Sequence, residues 1–291
     1  MRRKSSNRVA IPTLKHVILT ESTMNDAKKA VANASVSFDE SGLPNSLGIM
    51  ALEQTEGRGQ RGKNWFAKPG ESLCVTYFFR HGLSNEKYLS FLSLMAGVAV
   101  ARLLSDNALY GLQKAYQDKI YKGEAAELVI PELFESSHPF KLKWPNDILL
   151  NGKKIAGVLI ERVQAPDGEA AYLIGVGINV KNLNFPEELQ GLATSIANEG
   201  VPTDSLNLKV LAEKLAELLA EEAEICLKSE GASTLTRWRI RNDTWGRAYS
   251  AQVEDQEIQG VAKGIDERGA LILELGDGSK AVVNNATSSL S

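Results

Sequence analysis

Apolar residues fall along this chain in two alternating periods. Leu14 to Leu19 is a short apolar run containing β-branched residues and predicts a first strand. Asp26 to Ala34 is alanine-rich and predicts a helix, and the compact apolar run Leu47 to Leu52 predicts a buried strand. Residues 55–64 break both periods with a polar stretch holding Gly57, Gly59 and Gly62. Leu73 to Phe79 then predicts a strand. Tyr88 to Leu104 predicts a nearly continuous apolar helix with Ala and Gly at close-packing positions. Residues 105–139 mix helical signals with a Lys/Glu-rich middle and end in Ser136-Ser-His-Pro139; they read as a surface insertion.

From Lys141 the pattern sharpens. Asn151-Gly152 is a strong hairpin signal joining Ile148–Leu150 to Lys154–Arg162, with another strand at Ala171–Val180. Ser205 or Asn207 can cap a helix whose apolar face is Leu208, Leu211, Leu215, Leu218 and Leu219. After Trp245-Gly246 come short glycine-punctuated strands: Ala251–Val253, Ile258–Ile265, Ala270–Leu275 and Lys280–Val283. A module of that size is too small to stand alone comfortably and should pack on the main body. The predicted class is α+β: a flexible basic tail at 1–12, a mixed-sheet catalytic domain at 13–245 and a small C-terminal β-barrel domain at 246–291. No internal repeat is present.

Composition narrows the function. Hydrophobic residues make up 43% and charged residues 24% of the chain, ordinary for a folded protein with a core. The formal net charge of -3 gives no global field for nucleic acid, so phosphate chemistry must rest on a local cluster of cations. No apolar run is long enough to span a bilayer. Cys74 and Cys226 stand far apart, in no metal-ligand spacing, which points to a reducing, cytoplasmic compartment without disulfides or zinc. The start Met1-Arg-Arg-Lys-Ser-Ser6 lacks a signal-peptide apolar stretch; it reads as a frayed tail, with a short organellar targeting peptide as the alternative.

Four segments carry candidate chemistry. In Glu53 to Trp65, three glycines expose backbone N–H groups, and Arg58, Arg61 and Lys63 put three cations on one loop, which suits a bound phosphate. The alternatives on composition alone are a flexible basic loop or an arginine-glycine segment for RNA. No Gly-Lys-Ser/Thr follows, so this is not a Walker A loop. In Lys141 to Ile148, Lys143 ends a strand, where a lysine can bridge a carboxylate and an α-phosphate; the alternative is a snorkelling surface lysine. In Leu173 to Val180, Gly175 and Gly177 mark a strand that something approaches closely, with Asn179 at its edge, although packing alone explains a lone Gly-x-Gly. Ser22 and Thr23, between a strand and a helix, read first as an N-cap and second as ligands for a polar head group.

In this order and spacing the segments resemble the biotin protein ligase family from about Thr13 to the C-terminus. Ser22-Thr23-Met24, Gln54 to Gly62, Lys143-Trp-Pro-Asn-Asp147, Lys154-Ile-Ala-Gly157, Gly175-Val-Gly-Ile-Asn179 and Gly260 to Leu271 carry the resemblance. It implies that biotin and ATP, with Mg2+, form biotinyl-adenylate, and that the biotinyl group passes to a lysine of an apo biotin carboxyl carrier domain. It assigns the biotin site to Ser22, Thr23, Met24, Gln54, Arg58, Gly59, Gln60, Lys143, Gly157, Gly175 and Gly177. The ATP site is assigned to Arg58, Gly59, Arg61, Gly62, Trp65, Lys143 and Asn179, with Trp65 beside the adenine and Asn179 serving phosphate or magnesium. No direct metal ligand is assigned. Lys143 and Arg58 are the expected catalytic residues.

Gln60 stands where the bacterial family pattern has arginine, and Lys63 replaces another. Loss of one permanent charge should weaken retention of the adenylate. Regulatory relatives carry an N-terminal winged helix that binds DNA; with strand one near Leu14, no DNA-binding domain is expected. A homodimer is suggested only by relatives that pair sheets edge to edge. The nearest rival is a lipoate protein ligase, which shares the fold but lacks the Gly-Arg-Gly-x-Arg-Gly loop. A related transferase uses a cysteine thiolate, whereas Cys74 lies in an alternating apolar strand and is expected to be buried and inert. A non-catalytic RNA-binding module fits poorly with the acidic total charge.

Overall fold

The computed structural model describes residues 13–39, 44–80, 89–122, 138–253, 256–284 and 287–288, without the side chains of Arg61, Leu89, 107–121 and 287–288. The basic tail at 1–12 and much of the expected insertion, 123–137, lie outside the described residues.

A seven-stranded sheet organises the main body. Its strands are β1 (Leu14–Thr20), β2 (Gly48–Gln54), β3 (Ser72–Phe79), β4 (Lys141–Lys143), β5 (Asp147–Leu150), β6 (Lys153–Gln164) and β7 (Ala170–Asn179). They lie in the order β1-β2-β3-β7-β6-β5-β4. Only β1 and β2 pair in parallel, because helix α1 (Thr23–Ala32) crosses between them; the other pairs are antiparallel. The β5–β6 hairpin turns at Asn151 and Gly152 with φ of 51° and 74°, the left-handed pair that the Asn-Gly signal demands.

Strand alternation divides the core into two layers. Met50, Leu73, Val75, Tyr77, Ile174, Val176 and Ile178 face a large core shared with α2 (Leu89–Tyr121), α3 (Leu208–Lys228) and α4 (Ala232–Arg239). Ile49, Phe78 and Leu173 point the other way, onto Met24, Ala27 and Val31 of α1. The candidate site shares this second face. Fully buried Glu222 accepts from Arg102 at 2.5 Å and Arg237 at 3.1 Å, tying α2, α3 and α4 together.

One expectation changes and one open alternative closes. Helix α2 does not stop at Leu104 but runs on to Tyr121; no proline interrupts that stretch, and Ala, Leu, Gln and Lys favour the helix along it. Of the two caps considered for α3, Asn207 serves, accepting from the N–H groups of Lys209 (2.9 Å) and Val210 (3.4 Å).

The C-terminal module is an antiparallel sheet of β8 (Ala248–Val253), β9 (Gln256–Ile265), β10 (Leu271–Leu275), β11 (Lys280–Val283) and β12 (Thr287–Ser288), in the order β11-β10-β9-β8-β12. Among the described residues β11 and β12 do not pair, so the expected barrel is seen as an open sheet. It docks on the strand end that carries Lys143. Trp144 Nε1 donates to the Gly269 carbonyl at 3.0 Å, the Tyr249 hydroxyl donates to the Trp144 carbonyl at 3.2 Å, and the two rings meet edge to face at 6.3 Å. Among the described residues no helix is long and apolar enough to cross a membrane.

Candidate active site

A cavity of about 330 Å3 opens on the α1 face of the large sheet. That is within the range of small-molecule sites. Its floor is built from strand positions without side chains. Gly157 on β6 pairs with Gly177 on β7, which pairs with Cys74 on β3; one step along, Leu159, Gly175 and Thr76 align in the same way. The register therefore brings glycines from two distant motifs side by side on one face.

These glycines are filled by neighbours. A Cβ on Gly177 would fall 2.4 Å from Trp65 Cε2, and one on Gly175 would fall 2.7 Å from Met24 Cε. The indole thus lies on the floor of the cavity. The Lys154 ammonium stands 5.8 Å from the ring centroid, within cation–π range.

At the α1 end, Gln54 Oε1 accepts from both the Thr23 backbone N–H (2.8 Å) and hydroxyl (3.1 Å), and the Thr23 and Thr76 hydroxyls are 2.9 Å apart. Ser22 begins α1, but its side chain caps nothing: the Ser22 backbone carbonyl accepts from Asp26 N–H while the hydroxyl, buried and unpartnered, turns to the cavity wall. Ser22 thus holds the N-cap position that the sequence suggested, but without a side-chain cap. A hydroxyl and an amide held this way are ready for a neutral polar head group.

The glycine-rich loop folds back on itself. Gly59 N–H donates to the Lys63 carbonyl at 2.7 Å and Trp65 N–H to the Gly57 carbonyl at 2.8 Å. A Cβ on Gly57 would meet the Trp65 carbonyl at 2.5 Å, so this close approach requires glycine. Arg58 leaves the loop toward Asn25 (3.0 Å) and Glu161 (3.3 Å), and Lys28 also pairs with Glu161. Gly59, Gln60, Lys63 and Asn64 line the cavity. The Arg61 side chain lies outside the description, and Gly62, at φ 74°, serves the turn and does not line the cavity.

Cations gather at the β4–β6 end. Lys143 closes β4, and Asp147 opens β5 directly opposite. Lys154 Nζ lies 2.5 Å from Asp147 Oδ1, whereas Lys143 Nζ is 4.0 Å from Oδ2. Burial holds the Lys143 ammonium below the usual lysine range; Asp147 opposes this, and Arg247 and Lys154 add to it. Asn179, buried at the end of β7, donates through Nδ2 to the Thr194 carbonyl at 3.0 Å and leaves Oδ1 without a partner.

Arg61 aside, whose side chain lies outside the description, all the site residues expected from the sequence line this cavity except Gly62. Reading the sequence missed Thr76, Asp147, Lys154, Phe66, Phe185, Leu189 and Ala193 as lining residues. Thr76 could have been found from the β3 alternation, which puts it on the face of the glycines. Phe185, 6.5 Å from Phe66 between ring centroids, sits in an irregular segment with no periodic signal. The buried Cys74 thiol is pushed up to about 12 by burial, against the pull of Gln54 and Trp65.

Residues 18–179, which contain all the sequence-expected site residues, match the model of the biotin/lipoate A/B protein ligase family. The chain belongs to that family. Residues 246–286 match the biotin protein ligase C terminal domain. The chain is 29% identical over 230 residues to the bifunctional ligase/repressor BirA of Escherichia coli (strain K12), covering 77% of this chain and 60% of that protein. It is 29% identical over 235 residues to the biotin--[acetyl-CoA-carboxylase] ligase of Paracoccus denitrificans, covering 80% and 85%. It thus spans between 60% and 65% of the length of the BirA relatives it matches. In fold it is similar to the biotin protein ligase of Aquifex aeolicus solved in complex with biotin and ATP, with a TM-score of 0.63 and 20% identity over 96% of this chain and 100% of that one.

Proposed function

We propose that this member of the family is a biotin protein ligase that activates biotin with ATP and passes it to a lysine of a biotin carboxyl carrier domain. The observation that carries this reading is the cavity itself. It joins a neutral polar end at Ser22, Thr23 and Gln54 to a cationic end at Lys143 and Lys154 across a glycine floor. The C-terminal match favours biotin over lipoate.

In this reading Ser22, Thr23 and Gln54 receive the ureido head, and Met24, Gly175 and Gly177 shape the wall along the apolar part of biotin. Lys143 meets the carboxylate of biotin and the α-phosphate of ATP. The carboxylate oxygen bonds to the α-phosphorus as the bond to the β-phosphate bridging oxygen breaks, releasing pyrophosphate. Two anions must meet for this step, and a preorganised ammonium in a half-buried site lowers the cost of that encounter. Arg58 and Arg61 serve the phosphates. In the second step the acceptor amine attacks the acyl carbon and AMP leaves.

Mg2+ is expected with the nucleotide. Among the described residues no group of three or more His, Cys, Asp or Glu could hold a metal. An ion arriving with the nucleotide would be held chiefly by phosphate oxygens and water. The unpartnered Asn179 Oδ1 is the protein oxygen we assign to it or to its water. Bound there, the ion would neutralise phosphate charge. The domain division at 13–245 and 246–291 is likewise proposed, with the second unit bracing Trp144.

The test is transfer. Incubated with biotin, ATP, magnesium and an isolated biotin carboxyl carrier domain, the protein should add one biotinyl group to one lysine, read by mass spectrometry. Modification with lipoate in place of biotin would contradict the reading.

A further inference from the structure

One acidic side chain stands among the cations that line the cavity. Asp147 is paired across the sheet with Lys143 on one side and Gly157 on the other. Lys154 reaches over Gly157 to it: a Cβ at Gly157 would lie 3.1 Å from both Cε and Nζ of Lys154. The missing side chain on β6 therefore makes room for the 2.5 Å pair between Lys154 and Asp147. Lys143 is left at 4.0 Å, beyond hydrogen-bond reach of the same carboxylate.

A carboxylate placed where two anionic substrates must bind is costly for binding by simple repulsion, so its presence calls for a compensating task. We propose that Asp147 is a positioning residue of the adenylation site. By holding Lys154 tightly and Lys143 loosely, it anchors one ammonium on the floor beside Trp65 and keeps the other charged but uncommitted for the substrate anions. This deepens the ligase reading and rests on it for the identity of those anions.

The electrostatics agree with the geometry. Lys143 is faced by Asp147 on β5, Lys154 on β6, Arg247 at the entry to β8 and Asp243 just before it. Two of these are cations, and burial also disfavours its charge. Asp147 is the acid that opposes burial most among them. With Asp147→Asn the hydrogen-bonding shape survives while the charge is lost, so Lys143 should lose its proton at lower pH. Lys154→Met does the reverse: it removes a neighbouring cation and frees Asp147 to pair with Lys143, which should then hold its proton to higher pH.

The experiment reads Lys143 directly. The pH dependence of its acetylation by a brief pulse of acetic anhydride, followed by mass spectrometry, needs neither ATP nor biotin. Biotin-dependent pyrophosphate exchange is then followed against pH in the same variants. The midpoint of Lys143 reactivity should fall in Asp147→Asn and rise in Lys154→Met. The basic limb of exchange in Asp147→Asn should retreat to lower pH, with kcat falling several-fold and more than KM for biotin rises. Unchanged Lys143 midpoints in both variants would overturn the proposal, even with activity lost, because that is what a merely structural carboxylate gives. Should Asp147→Asn fail to fold, the direction of the Lys154→Met shift decides alone. Shifted midpoints in a protein whose wild type shows no exchange would sink the ligase reading and leave the arrangement of the two lysines standing.

Discussion

Trp65 lies on Gly177, the indole so close that a Cβ on the glycine would sit 2.4 Å from Cε2. The residues are 112 positions apart in sequence. The contact joins the glycine-rich loop to the centre of the sheet, and it explains why a glycine stands at 177, where a β-branched residue would favour the strand. The loop depends on the floor for its shape.

Gly177→Ala should therefore force Trp65 off the floor. Overpacking of this kind costs about 1–3 kcal/mol. The expected result is a protein that still folds, with a lower melting temperature, a changed tryptophan fluorescence spectrum and most adenylation lost. Gly175→Ala should act more mildly, since the atom it meets is the mobile end of Met24. Equal activity in wild type and Gly177→Ala would contradict the proposed role of this contact.

Much of this was legible in the sequence, for identifiable reasons. Alternating runs gave the strands of the large sheet to within a few residues, and Asn151-Gly152 gave the hairpin because only left-handed residues make that turn. The glycines and cations of 53–65 announced a binding loop. Three things were hidden. The pairing of Gly157 with Gly177 depends on strand order, which periodicity does not contain. Ser22 read as a cap because capping and ligand-facing hydroxyls occupy the same position before a helix. Lys154 and Asp147 lay within the motifs without a role, because their pairing beside Trp65 depends on the fold.

Cys74 offers a check on the thiolate-transferase alternative. With the thiol pushed up to about 12 by burial, almost none of it is thiolate at pH 8. Iodoacetamide at that pH should leave Cys74 unmodified in the folded protein, and Cys74→Ser should retain both adenylation and transfer. Loss of transfer alone in that variant would favour a covalent thioester route.

Gln54 holds Thr23 through two hydrogen bonds. Gln54→Ala leaves Thr23 N–H without that partner beside the cavity, a loss of about 1–3 kcal/mol. KM for biotin should rise by about tenfold or more while KM for ATP changes little. An equal rise in both, measured by steady-state exchange, would place Gln54 outside the head-group end.

Gln60 lines the cavity without a permanent charge. Restoring arginine with Gln60→Arg should slow the escape of biotinyl-adenylate, because a fixed cation binds the phosphate more strongly than an amide does. Rapid quench with separation of free from bound adenylate measures this. Identical dissociation rates would show that position 60 does not govern retention.

The central claim is that Lys143 drives the formation of an acyl-adenylate from biotin. Exchange of labelled pyrophosphate into ATP tests it most directly, in wild type and in Lys143→Ala. The account predicts exchange that requires both biotin and magnesium, is absent with lipoate, and is lost in the variant. Exchange supported by lipoate, or biotin-dependent exchange undiminished in Lys143→Ala, would contradict it.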